Sequence, residues 1–329
     1  MVRLGIQSHY PKEAQQMLSY EEVKRHPKRF RACTGFDVAE FEQLLPHFER
    51  AWNIFVEGNF IKGKERQRAY GGGRQATLSK VKEKLFFILF YFKTYPLQEV
   101  MGLSFGLSQS QVNVWIHRLS QVLQMALWMA QHLPEREPAN LETVLAECEG
   151  LEFMIDGTER RIQRPGDPQD QKKYYSGKKK THTCKNNVIV DAFTSEVKYF
   201  SQTHEGKKSD KKICDEEKYP FPTNSLLHKD KGFQGYEPEG VITFQPRKKP
   251  RGKELPVEDK ILNRVMNSVR IMVEHVISGI KRCRIVKDIF RNTKAGFDDL
   301  VMEIACGLHN LRTNCRQPQL DGGLAQFFP

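Results

Sequence analysis

Two aspartates of this chain directly follow apolar runs, and a glutamate lies on a later helical stretch. Asp156 follows the run 151–155, and Asp230 follows the run 225–229. If these runs are adjacent strands, the two carboxylates lie side by side, and a packed helix can bring Glu274 over them. Like charges held so close are stable as anions only when a cation bridges them. Hard oxygen ligands without a neighbouring Cys or His cluster favour magnesium or manganese over zinc.

Two such ions about 4 Å apart would stabilise the attacking and leaving oxygens of an in-line phosphoryl displacement. A plainer interpretation is that Asp156 and Asp230 are turn residues, because Asp-Gly and Asp-Lys-Gly are ordinary turn sequences. Glu159 is a weaker candidate, since an alternating strand places it on the opposite face from Asp156. Five further carboxylates are predicted to lie in a turn, in a solvated polar helix or at a helix start: Asp191, Asp210, Asp215, Glu258 and Asp259.

The stretch 263–284, which contains Glu274, contains no proline and many good helix formers. At about 100° per residue, one amide, one carboxylate and two cations share a stripe about 60° wide: Asn267, Glu274, Arg270 and Lys281. The opposite side is apolar and is predicted to pack inward: Val265, Val269, Met272 and Val276. A solvated polar face on an ordinary amphipathic helix is the alternative interpretation of this stripe.

An all-α module precedes the predicted strands. Its helices are expected at 77–92, 97–103 and 108–130, with N-caps at Thr77 and Ser108. The succession of helix, tight glycine turn and helix is the outline of a helix-turn-helix. The first turns of the third helix expose residues that can contact base edges in the major groove: Gln109, Ser110, Gln111 and Asn113. A three-helix bundle without a DNA role has the same outline.

The chain is predicted to combine this all-α region with an α/β domain. β-Branched and apolar runs predict strands at 151–155, 181–192, 197–201, 225–229 and 241–244, with a helix between the third and fourth strands. The predicted organisation is an N-terminal helical region at 1–60, a basic glycine-rich arm at 61–76, the helix-turn-helix at 77–135, the α/β domain at 150–315 and a tail at 316–329.

The charge balance favours a polyanionic partner. The chain has 52 Lys and Arg against 40 Asp and Glu, a net charge of +12, and nucleic acid is the commonest such partner. Lysines 178, 179 and 180 form one of several basic runs in the α/β domain that together resemble a phosphate-backbone track. Arg74 lies in the glycine-rich arm, which is either a DNA-contacting segment or a plain linker.

Composition also excludes several classes of protein. No run of about 18 apolar residues predicts a membrane span, and the N-terminus lacks the apolar segment of a secretory signal. The seven cysteines are odd in number and include no Cys-x-x-Cys pair, which argues against a zinc ribbon and a disulfide framework. We therefore expect a reducing compartment, the cytoplasm or the nucleoid.

Four motifs in order resemble bacterial insertion-sequence transposases of the DDE superfamily. The segment Asn267-x2-Arg270-x3-Glu274-x6-Lys281 is similar to their Y-x2-R-x3-E-x6-K signature, with Asn in place of Tyr. Asp156-Gly-Thr-Glu and Asp230-Lys-Gly-Phe-Gln-Gly resemble the two aspartate motifs, and 171–182 resembles the run that follows the first aspartate in one subgroup. The resemblance covers about 77–315.

This resemblance implies an RNase H-like catalytic core, a mixed sheet flanked by helices, behind the helix-turn-helix region. It implies Asp156, Asp230 and Glu274 as catalytic metal ligands, with two Mg²⁺ or Mn²⁺ ions. It also implies that Lys281, Arg270 and Asn267 contact DNA near the cleavage site.

The implied activity is binding of terminal inverted repeats, metal-dependent end cleavage and strand transfer into target DNA. Synapsis of two ends implies a homodimer or a larger assembly on double-stranded DNA. Two alternatives share these features: a host or domesticated nuclease that cuts without strand transfer, and a DNA-binding regulator with an inactive core.

Overall fold

The computed structural model describes residues 17–63, 70–71, 73, 76–247, 254 and 256–316, without the side chains at 262, 265 and 267–270. The predictions for Arg74, and those for the side chains of Asn267 and Arg270, therefore lie outside the described residues. The same holds for most of the basic arm.

The described residues form an N-terminal group of helices, followed by one mixed sheet on which the later helices pack. The helices are α1 Tyr20–Lys24, α2 Pro27–Thr34, α3 Val38–Val56, α4 Val81–Thr94, α5 Gln98–Phe105, α6 Gln109–Met129, α7 Pro138–Ala146, α8 Pro168–Tyr174, α9 Asp210–Glu217, α10 Val257–Ile280, α11 Arg284–Lys287 and α12 Phe297–Arg316. The strands are β1 Glu152–Arg161, β2 Tyr175–Ser176, β3 Thr181–Asp191, β4 Val197–Phe200, β5 His204–Glu205, β6 Leu226–Lys229 and β7 Ile242–Phe244.

The three predicted helices of the all-α module are present as α4, α5 and α6. Ser108 caps α6 as predicted, and the Gln111 side chain accepts a hydrogen bond from the Ser108 backbone N–H at 3.0 Å, which completes a capping box. Gly106 ends α5 in the left-handed region at φ +66°. The prediction of Thr77 as a cap is wrong. Helix α4, the first of this module, begins only at Val81, because the chain before it bends to bury Leu78 in the core.

The sheet is mixed, with parallel strands on one side of β1 and antiparallel strands on the other. β1 pairs antiparallel with β3 and parallel with β6, which in turn pairs parallel with β7. β2, β4 and β5 all pair antiparallel with β3. All five predicted strands are present, and β3, β4, β6 and β7 lie within one residue of the predicted runs. The predicted end of β1 is wrong, because the strand continues to Arg161, and Asp156 therefore lies inside it, paired with Val188, and is not a turn residue.

The two faces of β1 belong to different cores. Met154 packs with β3, β4, α10 and α12, whereas its neighbours Phe153 and Ile155 pack with α7 and α9. Because side chains alternate along a strand, Asp156 lies on the same face as Met154, towards α10. Glu159 lies on the other face, as predicted, and its carboxylate accepts a hydrogen bond from the Thr183 hydroxyl at 3.1 Å.

The all-α module and the α/β part share one hydrophobic core. Buried residues from α4 and α6 belong to the same cluster as those of α10, α11 and α12. At this junction the rings of His117 and Phe297 lie 4.6 Å apart, and the Gln124 amide donates to the Glu303 carboxylate at 2.6 Å. A Cβ added at Gly307 of α12 would lie 3.2 Å from Leu127 of α6, so these two helices pack closely.

The N-terminal helices brace this junction. Trp52 of α3 packs against Trp115 of α6 with ring centroids 6.0 Å apart, and Arg316 of α12 donates to Glu40 of α3 at 2.6 Å. All seven cysteines are free thiols in this structure. Within the described part of the chain, no helix combines the length and the apolar character that crossing a bilayer requires.

Candidate active site

The sheet register brings Asp156 and Asp230 next to each other. Ile155 of β1 is paired in parallel with Lys229 of β6, and each aspartate is the next residue along its own chain segment. Asp230 is also a turn residue, because its carboxylate accepts a hydrogen bond from the Gly232 backbone N–H at 3.1 Å. Asp230 is therefore both a turn residue and the neighbour of Asp156, so the two interpretations of this aspartate do not exclude each other.

Glu274 reaches the same place from α10. Asp156, Asp230 and Glu274 line one open cleft of about 520 Å³. The cations that line this cleft with them are Lys178, Lys179, Lys281, Arg282 and Lys287. Lys180, the third lysine of the predicted run, is not among the lining residues. Three carboxylates surrounded by cations can accommodate a phosphodiester and the ions that accompany it.

The inward face of α10 differs from the predicted one. The buried side chains are Met266, Val273, Val276 and Ile280, whereas Met272 is 36% exposed. The prediction for Met272 is wrong, that for Val276 is confirmed, and the side chains at 265 and 269 are not described. The helix is rotated so that its buried face borders the polar stripe. This rotation puts Glu274 at the edge of the contact with the sheet, where its carboxylate reaches the cleft.

Burial and crowding disfavour a charged Asp156. The pKa of its carboxyl is raised from 3.8 to about 6, mainly by burial and also by nearby Asp230 and Asp210, while the Gly157 backbone N–H opposes this rise. That N–H donates to the Asp156 carboxylate at 2.7 Å. A bound cation would stabilise the charged form of this aspartate.

Asp210 is a carboxylate close behind this site, next to the glycines that follow the two aspartates, and the sequence interpretation missed it. It was expected in a solvated helix, but its side chain is only 20% exposed and lies 3.0 Å from the Lys185 ammonium. A Cβ at Gly157 would come within 2.6 Å of the Asp210 carboxylate, and one at Gly232 within 2.8 Å. The glycines that follow the two aspartates thus leave room for a further carboxylate, and they are the sequence signal that could have indicated it.

Asp156 is expected to make the fold less stable as pH rises from about 4 to about 6 in metal-free buffer. Between its unfolded pKa of 3.8 and its folded pKa of about 6, the folded protein keeps a proton that the unfolded chain has released. Asp156→Asn removes this effect and should gain up to about 3 kcal/mol over wild type across that window. Urea unfolding with EDTA at several pH values measures the difference, and an unchanged difference would contradict the assignment. Asp215→Asn, at an exposed carboxylate, is the control.

Carboxylate oxygens are the right donors for a hard divalent ion, and three of them line the cleft. Among the described residues, however, no three His, Cys, Asp or Glu side chains already converge as a ready metal-binding group. The chemistry of these donors therefore fits magnesium or manganese. In this conformation the three carboxylates line the same cleft but do not yet converge on one point.

The predicted base-reading residues lie at the start of α6. Gln109, Ser110 and Gln111 are exposed, and Asn113 is half-buried. The amides of Gln109 and Asn113 both donate to the side-chain oxygen of Gln98 in α5, at 2.6 and 3.4 Å. Gln98 therefore aligns these two side chains before any partner binds. The oxygen of Gln111 is used in the capping box, which leaves its NH₂ group for an outside contact.

An α/β domain with three carboxylates in a basic cleft, joined to a helix-turn-helix, is the architecture of a nucleic-acid-processing enzyme. Residues 155–310 match the family described as DDE superfamily endonuclease. Residues 77–127 match the family described as helix-turn-helix of DDE superfamily endonuclease. The chain belongs to the DDE superfamily of insertion-sequence transposases, as its motifs indicated.

One curated relative is the probable transposase for insertion sequence element IS702 from Microchaete diplosiphon. It is 26% identical to this chain over 271 residues, which cover 82% of this chain and 93% of the relative. No solved structure matches the chain. The family of the α/β part implies dependence on a divalent metal, and the helix-turn-helix implies DNA binding.

Proposed function

We propose that this chain is a DNA transposase that binds the terminal inverted repeats of an insertion sequence, cleaves the ends and transfers them to target DNA. The observation that carries this proposal is the cleft in which Asp156, Asp230 and Glu274 meet a group of lysines and an arginine. The name of the IS702 relative supports the same activity. We propose that the protein acts in the cytoplasm, at the nucleoid, because its proposed DNA substrate lies there.

We also propose an RNase H-like core for the α/β part. The supporting observation is the strand order, in which β1 lies between antiparallel β3 and parallel β6, with β4 beyond β3 and β7 beyond β6. In this arrangement the central strand and its parallel neighbour each present an aspartate, and the long helix packed over them supplies the glutamate.

Asp156, Asp230 and Glu274 would hold two Mg²⁺ or Mn²⁺ ions. Such ions, when bound, supply Lewis-acid activation of the attacking and leaving oxygens of an in-line displacement. The protein contributes position and charge. Lys281, Lys178 and Lys179 neutralise the phosphates that flank the reacting one, which lowers the repulsion between DNA and the carboxylates.

Cleavage and strand transfer are both phosphoryl transfers, so one site serves both steps. In the first step water attacks the end of the element, and in the second the freed 3′-hydroxyl attacks the target strand. Arg270 and Asn267 are proposed to contact the DNA beside the cut, from their places in the signature. Synapsis of two ends requires at least a dimer on DNA.

A strand-transfer assay separates this function from its two alternatives. The purified chain is incubated with labelled end DNA, a target plasmid and Mg²⁺, with EDTA in place of Mg²⁺ as the control. Joined products that depend on the metal support the transposase. Cleaved ends without joined products indicate a nuclease, and binding without either product indicates a regulator with an inactive core.

Replacing Gln109 and Asn113 with alanine is expected to weaken discrimination between end DNA and scrambled DNA by about 1–3 kcal/mol per lost base contact. Affinity for scrambled DNA should stay the same, because phosphate contacts supply that term. Competition binding with the two duplexes measures the ratio. Gln121→Ala, at an exposed position further along α6, should keep it. Equal ratios for all three proteins would remove α6 as the base-reading element.

A further inference from the structure

A second cleft of about 620 Å³ adjoins the candidate active site. It shares the walls formed by Lys179, Lys281 and Lys287 with the carboxylate-containing cleft. Arg161, Arg291 and Tyr95 also line it. Lys179 and Lys281 have a role in the first cleft, but no role has been assigned so far to Arg161, Lys287 or Arg291 in the second one.

The second cleft has an excess of positive charge. Its two carboxylates already have partners: Glu159 lies 3.6 Å from the Lys185 ammonium, and Asp288 accepts a hydrogen bond from Arg284 at 3.0 Å. In contrast, no described carboxylate lies within 4 Å of the charged nitrogens of Arg161, Lys281 or Lys287. Cations arranged in this way are suited to an anion from outside the chain.

Lys281 shows how closely these cations approach each other. Burial lowers the pKa of its ammonium, and the nearby positive charge of Lys179 lowers the pKa further, against the opposing effect of Asp156 and Glu159. A phosphate in the second cleft would relieve this repulsion. Lys281 lines both clefts, and an anion bound in either cleft would stabilise its charged form.

The far wall of the second cleft is the turn between α4 and α5 of the all-α module. The Arg291 guanidinium donates to the backbone carbonyls of Tyr95 at 2.7 Å and Pro96 at 3.0 Å, and it lies 4.0 Å from the centre of the Tyr95 ring. Arg291 is thus engaged in holding the module against the α/β part. The second cleft consequently runs from the carboxylates to the module that carries α6.

We propose that the second cleft binds the DNA backbone between the sequence read by α6 and the scissile phosphate, with Arg161 and Lys287 as phosphate contacts. This assignment rests on the proposed function. Both side chains are exposed, so each can reach a phosphate without disturbing the core. The ligand class is a phosphodiester backbone, which is bound through its charge and not through its bases.

The test is the salt dependence of DNA binding by Arg161→Gln and Lys287→Gln. The probe is an inverted-repeat duplex that continues past the cleavage point, in EDTA so that no cutting occurs. The slope of log affinity against log salt is negative, and each lost phosphate contact should reduce its magnitude by about one. Lys218→Gln is the control, since Lys218 is exposed and lines a separate cleft with Glu237 and Glu239. Thermal unfolding verifies that all variants are folded.

A second measurement locates the contact on the DNA. Single neutral methylphosphonates are placed one at a time on either side of the cleavage point. A substitution that weakens wild-type binding but leaves Lys287→Gln binding unchanged identifies the phosphate that this lysine contacts. The proposal is overturned if both variants keep the wild-type slope, as Lys218→Gln should. If wild type cuts the end in Mg²⁺ and both variants keep the wild-type slope, the proposal for the second cleft is wrong, whereas the transposase function stands. If wild type neither binds nor cuts the end, the proposed function itself is wrong.

Discussion

Replacing Glu274 with glutamine is expected to reduce metal-dependent DNA cleavage about a thousandfold, which corresponds to about 4 kcal/mol of transition-state stabilisation. Glutamine keeps the size of the side chain and removes its negative charge. A divalent ion held by Asp156, Asp230 and Glu274 would lose one of its three anionic ligands. Binding of end DNA should change by no more than about twofold, because Glu274 is not one of the proposed base-reading residues of α6 and is exposed on its helix, so the fold should not change.

The matched control for this variant is Glu258→Gln. Glu258 lies in the first turn of the same helix and is exposed, so its substitution also removes one negative charge from α10. Cleavage and binding are measured in parallel, with single-turnover rates and gel shifts. Cleavage by Glu274→Gln at the rate of Glu258→Gln would eliminate Glu274 as a catalytic carboxylate.

Asn310→Leu is expected to lower the free energy of unfolding by about 3 kcal/mol. The buried amide of Asn310 accepts from the backbone N–H of Val197 at 2.8 Å and donates to the carbonyls of Val197 at 2.9 Å and His132 at 3.0 Å. Leucine has a similar size but leaves these three backbone groups without the partner that α12 provides. Each buried group left in this way costs about 1–3 kcal/mol, and relaxation recovers part of the cost.

Urea unfolding of wild type and variant measures this loss, and a constant m-value would show that the change is one of stability. Asn314→Leu is the control, one turn later on the same helix, where the side chain is exposed. Its effect should stay within about 0.5 kcal/mol. If Asn310→Leu were as stable as Asn314→Leu, the three hydrogen bonds would not anchor β4 to α12.

The sequence predicted β3, β4, β6 and β7 well because each is a short apolar run with clear boundaries, whereas β1 continues past its apolar run through polar residues to Arg161. The adjacency of Asp156 and Asp230 followed from the pairing of two such runs, because Ile155 is aligned with Lys229. The rotation of α10 did not follow, since a helical wheel shows which residues share a face but not which sheet the face meets. Met272 and Met266 are equally apolar in sequence, and only packing on β1 and β6 decides that Met266 is the buried one.

Asp210 shows a second limit of sequence-based prediction. Its neighbours are lysines, which are typical of a solvated helix, and the prediction followed them. Its true surroundings depend on two glycines far away in sequence, Gly157 and Gly232, whose missing side chains make room for the carboxylate. Contacts of this kind depend on how β1, β6 and α9 come together, so local patterns do not contain them.

The core shared by the helix-turn-helix and the α/β part has a consequence for protein engineering. In many DNA-binding proteins the reading module is connected by a linker and can be exchanged to give a new specificity. Here α6 contributes Leu127 and Gln124 to contacts with α12, so an exchanged module must also reproduce that surface. Retargeting this protein therefore calls for grafting only the exposed residues at the start of α6, with the buried side of the helix kept unchanged.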